Sequence, residues 1–118
     1  VHRRLDGALV CLSAMQNADG GFSSWDTENA ESCAQVILAL VELGISVDDT
    51  RFVKDGGSVL DALLSYQNAD GGFCHTHGGE TNLMASEQAA CALASFVRAG
   101  RGETSLYRMA ALAGRAAA

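Results

Sequence analysis

The densest group of metal-capable side chains in the sequence runs from Cys74 through His75 and His77 to Glu80. Thiolate, imidazole and carboxylate together suit a zinc ion. Neighbouring residues of one loop rarely wrap a tetrahedral ion alone, so Glu31 or Cys33 from a second segment would have to complete the set. Otherwise the run is a solvated polar loop. Zinc is the one cofactor these residues suggest, and nothing in the sequence requires it.

A second candidate site is a rim of recognition residues. Trp25 offers an aromatic platform, with Asp26, Glu28, Glu31, His75, His77, Glu80 and Asn82 as hydrogen-bonding or charged partners. Glu28, Glu31 and Gln35 fall at i, i+3 and i+7, one face of a helix, as a ligand-facing or a solvated stripe. The competing reading makes Asp26, Thr27 and Asn82 helix caps and packs Trp25 on the next turn.

These side chains must be positioned by a small fold. The chain has 118 residues, 48 % hydrophobic and 19 % charged, enough apolar surface for one core and too little length for two. The longest apolar run, Val36 to Val41, falls far short of the roughly 20 residues a membrane span needs. A net charge of −6 with scattered cations leaves no stripe to neutralise phosphates, so nucleic acid is not an expected partner. Three of the four cysteines sit in apolar helical runs as small hydrophobes, so no disulfide framework is implied and the redox compartment stays open. Val1 to Arg4 is charged and lacks a secretory apolar core, so any signal peptide is expected to have been removed or never to have existed. Few aromatics, no proline and abundant alanine and glycine predict an all-α chain.

Shifted by 51 positions, the chain matches itself. Gln16-Asn17-Ala18-Asp19-Gly20-Gly21-Phe22 recurs unchanged as Gln67-Asn68-Ala69-Asp70-Gly71-Gly72-Phe73. Downstream the match continues at a shift of 53, placing Gln35, Ala39 and Leu40 opposite Gln88, Ala92 and Leu93, with two residues inserted in the loop from Cys74 to Asn82. Each unit reads as outer helix, turn, loop and inner helix: repeat one about 5–44, repeat two about 57–100, and a terminal helix about 104–114 opening a third. Leu5, Ala8, Leu9, Leu12 and Met15, and then Val59, Ala62, Leu63 and Tyr66, mark amphipathic outer helices. Glu31 to Leu43 and Met84 to Val97 read as inner helices, apolar nearly all round, ended by Gly44 and Gly100 as left-handed caps. In the turns, Asp19 and Asp70 bond their own following backbone, paired glycines permit positive φ, and Phe22 and Phe73 drop into the core. Gln35 and Gln88, inside apolar helices, are expected to bond backbone of an adjacent turn.

Glutamine, a spacer, Asp-Gly-Gly-Phe, a Ser/Thr-rich helix start and an Ala/Leu-rich helix together resemble the prenyltransferase and squalene-cyclase repeat over nearly the whole chain. The resemblance implies a partial α/α toroid of helical hairpins, two repeats plus the start of a third. The stretch from Gly79 to Ala89, followed by Ser105 to Met109, is similar to toroid domains of bacterial cell-surface proteins, which implies an extracellular setting, with the cytoplasm as the other possibility. The enzymatic members differ from this chain. Val47-Asp48-Asp49-Thr50 holds only two adjacent carboxylates where cyclases carry Asp-x-Asp-Asp, and Ser86-Glu87-Gln88 lacks the cysteine of the thioester motif. Glu31-Ser32-Cys33 has glutamate where the prenyltransferase zinc motif has aspartate. The resemblance therefore implies a non-catalytic binding or interaction module, the alternative being a fragment of an enzyme acting on an isoprenoid. Two and a half hairpins leave apolar inner helices uncovered, so flanking repeats or self-association are the expected partners.

Overall fold

The computed structural model describes residues 1–108. Four α-helices carry the fold: α1 (His2–Met15), α2 (Ala30–Glu42), α3 (Val59–Leu64) and α4 (Leu83–Gly100). Between them lie two antiparallel hairpins, β1 (Ser23–Ser24) with β2 (Thr27–Glu28), and β3 (Val53–Lys54) with β4 (Gly57–Ser58), the second preceded by a 3-10 turn at Thr50–Phe52. The all-α expectation is thereby corrected: among the described residues helices dominate at 53 %, but 11 % are in extended pairings, two small antiparallel sheets and isolated bridges. Strands of two residues show no period-2 pattern, and Trp25-Asp26 is not a residue pair that announces a hairpin. The Asp55-Gly56 pair between β3 and β4 is such a signal.

The core forms where α2 lies between α3 and α4, with α2 and α4 in the most extensive contact. Cys33, Ala34, Ile37 and Leu40 of α2 meet Ala85, Ala89 and Ala92 of α4, all buried. Alanines on α4 let the two helix axes approach closely. Phe52, Val59, Leu63 and Tyr66 close the other side with no exposed surface. Although α2 is apolar nearly all round, it is not covered on every side: Gln35 and Ala39 keep one face open to solvent. Helix α3 is only six residues long, and Tyr66 lies beyond its end. Of the predicted outer-helix stripe on α1, only Leu9 is buried.

Helix ends follow their local chemistry. Asn29 and Asn82, equivalent under the repeat, cap α2 and α4 by accepting from Ser32 N and Ala85 N, each at 2.9 Å. Gly44, at φ +72°, ends α2 with Gly44 N donating to Val41 O and Ile45 N to Leu40 O. Helix α4 ends at Gly100 as expected, but Gly100 is not the left-handed cap; that conformation falls two residues on, at Gly102 with φ +69°. Residues 106–108 are helical, 104–105 are not, and the part of the predicted terminal helix from 109 on lies outside the described residues. No helix among the described residues is long and apolar enough to cross a membrane.

Candidate functional site

The two identical heptapeptides make the same internal bonds. Asn17 N donates to Gly21 O and Gly20 N to Asn17 O; Asn68 N donates to Gly72 O and Gly71 N to Asn68 O. The Gln16 and Gln67 amides donate to Gly20 O and Gly71 O, and Asp19 and Asp70 accept from the glycine two residues on at 2.8 and 2.9 Å. Positive φ falls on the first glycine of each pair, Gly20 at +92° and Gly71 at +89°. The second glycines, Gly21 and Gly72, are needed for space, since a Cβ there would overlap Glu28 Oε1 or Thr81 Cγ2. The turns differ in what covers them. Gln16 also donates to Phe52 O at 2.8 Å and Gly56 N to Ala18 O at 2.8 Å, which buries Gln16 and Gly20 under the β3–β4 hairpin. Gln67 and Gly71 are exposed.

After each turn, Phe22 and Phe73 enter the core and the chain returns to an inner helix. The two returning loops bring the amino termini of α2 and α4 side by side, tied by Ala30 N donating to His75 O at 3.0 Å. A groove of about 770 Å³ opens there. Leu12, Met15, Phe22, Val36 and Met84 form its apolar wall, and Ser32, Gln35 and Gln88 its polar side. The Gln35 amide donates to Gln88 Oε1 at 3.1 Å, so these glutamines bond each other across α2 and α4 rather than turn backbone. His75 Nδ1 donates to Glu31 Oε2 at 2.6 Å, a charge-assisted pair across the loops.

Comparison with protein-family models, with curated proteins and with solved structures returned no match. The site therefore rests on its own geometry.

Of the predicted rim, Trp25, Glu31, His75 and Asn82 line the groove, whereas Asp26, Glu28, His77 and Glu80 do not. Trp25 packs on nothing: it is 97 % exposed, and with Asp26 it occupies the left-handed region at φ +54° and +62°. Two successive positive φ values are what a two-residue hairpin joining right-twisted strands demands, and there they fall on non-glycine residues. Glu28 belongs to β2, ahead of the helix, so it does not share a helical stripe with Glu31 and Gln35; it turns toward Asp19 and Gly21.

The metal-capable residues are drawn apart. Cys74 is buried, its thiol donating to Tyr66 O at 3.3 Å. His75 pairs with Glu31, while His77 stacks on Tyr66 at 4.0 Å between ring centroids with Nε2 2.8 Å from Ser65 Oγ. Glu80 is exposed, and Cys33 is enclosed in α2, where burial pushes its thiol up to about 11. Among the described residues no group of three or more His, Cys, Asp or Glu side chains converges in a way that would hold a metal. The groove residues that sequence reasoning passed over, Leu12, Met15, Val36 and Met84, sit in helical runs where a groove wall and a core face carry the same apolar signal.

Proposed function

We propose that the chain is a non-catalytic binding module, carried by a surface-exposed bacterial protein, that takes an amphipathic ligand into the groove between the two inner-helix amino termini. The observation that carries this reading is Trp25. A large aromatic held in water on a strained backbone costs on the order of 1–3 kcal/mol, and such outliers concentrate where a ligand repays them. It stands beside an apolar wall and a paired-amide floor that can bond carbonyl, amide or phosphate oxygens. Because Trp25 is the single tryptophan, its fluorescence reports the groove directly. Titration with a prenyl diphosphate, the substrate class of the enzymes the repeat resembles, or with cobalamin, a bulky amphipathic ligand, is expected to give a saturable change, weakened at least tenfold by Met84→Asp. No saturable response to either removes the groove reading, and turnover of the diphosphate establishes the enzymatic one instead.

The unequal covering of the two turns supports the partner side of the proposal. Leu83, Met84 and Val97 of α4 are exposed at 83 %, 62 % and 44 %, and among the described residues no hairpin covers the turn at Gln67–Gly72 as one covers its twin. Flanking repeats or a second copy would bury these surfaces. Light scattering at high micromolar concentration is expected to show association that Leu83→Glu with Val97→Glu abolishes. A strictly monomeric, folded chain overturns self-association.

A further inference from the structure

The repeat permits a comparison of two structurally equivalent positions within one molecule. In the second unit Cys74 bridges Thr81; in the first, Ser23 pairs with Glu28. Thr81 and Glu28 thus occupy the same place, each against the second glycine of its turn and facing its aspartate. In the second unit the contact is an ordinary hydrogen bond: Thr81 Oγ1 donates to the Asp70 carboxylate at 2.8 Å. Asp19 meets a second carboxyl in place of that hydroxyl. Among the described residues Glu28 Oε1 is buried with no hydrogen-bond partner, and a Cβ on Gly21 would overlap it while lying 3.0 Å from Asp19 Oδ1. Two carboxylates cannot share that space, and the matching site shows that the aspartate is served by an O–H donor.

We propose that Glu28 is held protonated and donates to Asp19, so that a single shared proton latches the β1–β2 hairpin, and with it Trp25, to the first turn as a pH-sensitive rim of the groove. The charge environment agrees. The hydrogen bond to the Asp19 carboxylate and burial raise Glu28 to about 7, against a smaller lowering by the Asn17 amide, while the hydrogen bond with Glu28 holds Asp19 below its ordinary value. The other groups near the pair are Asn17 on the turn, Cys33 on α2, Tyr66 after α3 and His77 in the second loop. Cys33 and Tyr66 are both shifted upward and stay neutral through the window. Folding raises the proton affinity of Glu28, so its contribution is present at acid pH and is lost as pH rises through about 7. Asp19 acts in the opposite sense, but only at the acid end, below its ordinary 3.8. Loss of the proton to solvent places two negative charges across Gly21 and releases β2 from the turn.

The consequence for ligand access rests on the groove reading, whereas the shared proton does not. Carbon-13 NMR of the Glu28 side-chain carboxyl is expected to titrate with a midpoint near 7, and a midpoint in the ordinary glutamate range of about 4.3 overturns the proposal. Amide exchange across residues 23–28 tests the latch, compared at each pH with Glu28→Gln, whose amide donates to Asp19 at every pH, and with Glu28→Thr, the residue of the second unit. Exchange is expected to match the variants at pH 5.5 and to run at least fivefold faster in the native chain at pH 8.5. Equal rates at both pH values overturn the latch. Whatever His75 and His77 contribute is common to native chain and variants. A titration near 7 with no ligand response from Trp25 leaves the proton bridge standing and removes only the groove.

Discussion

Gly20→Val is expected to destabilise the fold by about 3–5 kcal/mol and Gly71→Val by only about 1–2 kcal/mol, although the two glycines stand in identical heptapeptides with nearly equal φ. Both positions sit in the left-handed region, at +92° and +89°, where a β-branched residue is strained. What separates them is the neighbour. A Cβ on Gly20 would lie 2.5 Å from Ser58 O and 2.7 Å from Gly57 O, backbone atoms that cannot swing aside, whereas a Cβ on Gly71 meets nothing within 4 Å among the described residues. The first substitution must therefore push the β3–β4 hairpin off the turn, loosening the Gln16–Phe52 and Gly56–Ala18 bonds with it. Urea unfolding of both variants, read as midpoint shifts at constant slope, measures the difference. Equal losses would show that turn strain alone matters and that hairpin docking contributes nothing.

Phe52→Ala is expected to cost about 3–5 kcal/mol, a large part of the roughly 5–15 kcal/mol that holds a small domain folded. Phe52 has no exposed surface, and its carbonyl receives the Gln16 amide, so one residue joins the first unit to the second through both ring and backbone. Its removal leaves a cavity beside Val59 and Leu63, which are rigidly placed by α3 and do not collapse into it. The neighbouring Val53, 40 % exposed on β3, serves as the control: Val53→Ala is expected to stay within about 0.5 kcal/mol. Thermal and urea melts of the two variants side by side test this. A Phe52→Ala loss below about 1 kcal/mol would show that the second unit stands without its aromatic anchor.

Much of the frame was legible in the residues because it depends on neighbours in sequence. The heptapeptide and its shift of 51 marked two equivalent turns, and the turns make the same bonds because Asp, Gly and Gln act there on backbone within four residues. The inner helices emerged from apolar periodicity within a residue or two at most ends, and Asn82 was readable as a cap. Tertiary structure decided the rest. Gly20 is confined by Gly57 and Ser58, distant in the chain, whereas nothing among the described residues confines Gly71, a difference absent from identical local sequence. Gln35 and Gln88 satisfy each other only because α2 and α4 pack side by side. The two-residue strands exist because hydrogen bonds hold them in the return path between turn and helix, so no periodic pattern could announce them, and the all-α expectation failed there. His75 and His77, two residues apart, are separated by the partners waiting for them, Glu31 on one side and Tyr66 on the other. Sequence by itself determined the repeat, its turns and its inner helices, since those follow from bonds between near neighbours. Which glycine needs space, where Trp25 stands and whom Glu28 faces were decided by contacts between segments distant in the chain, which exist only once the two units have docked.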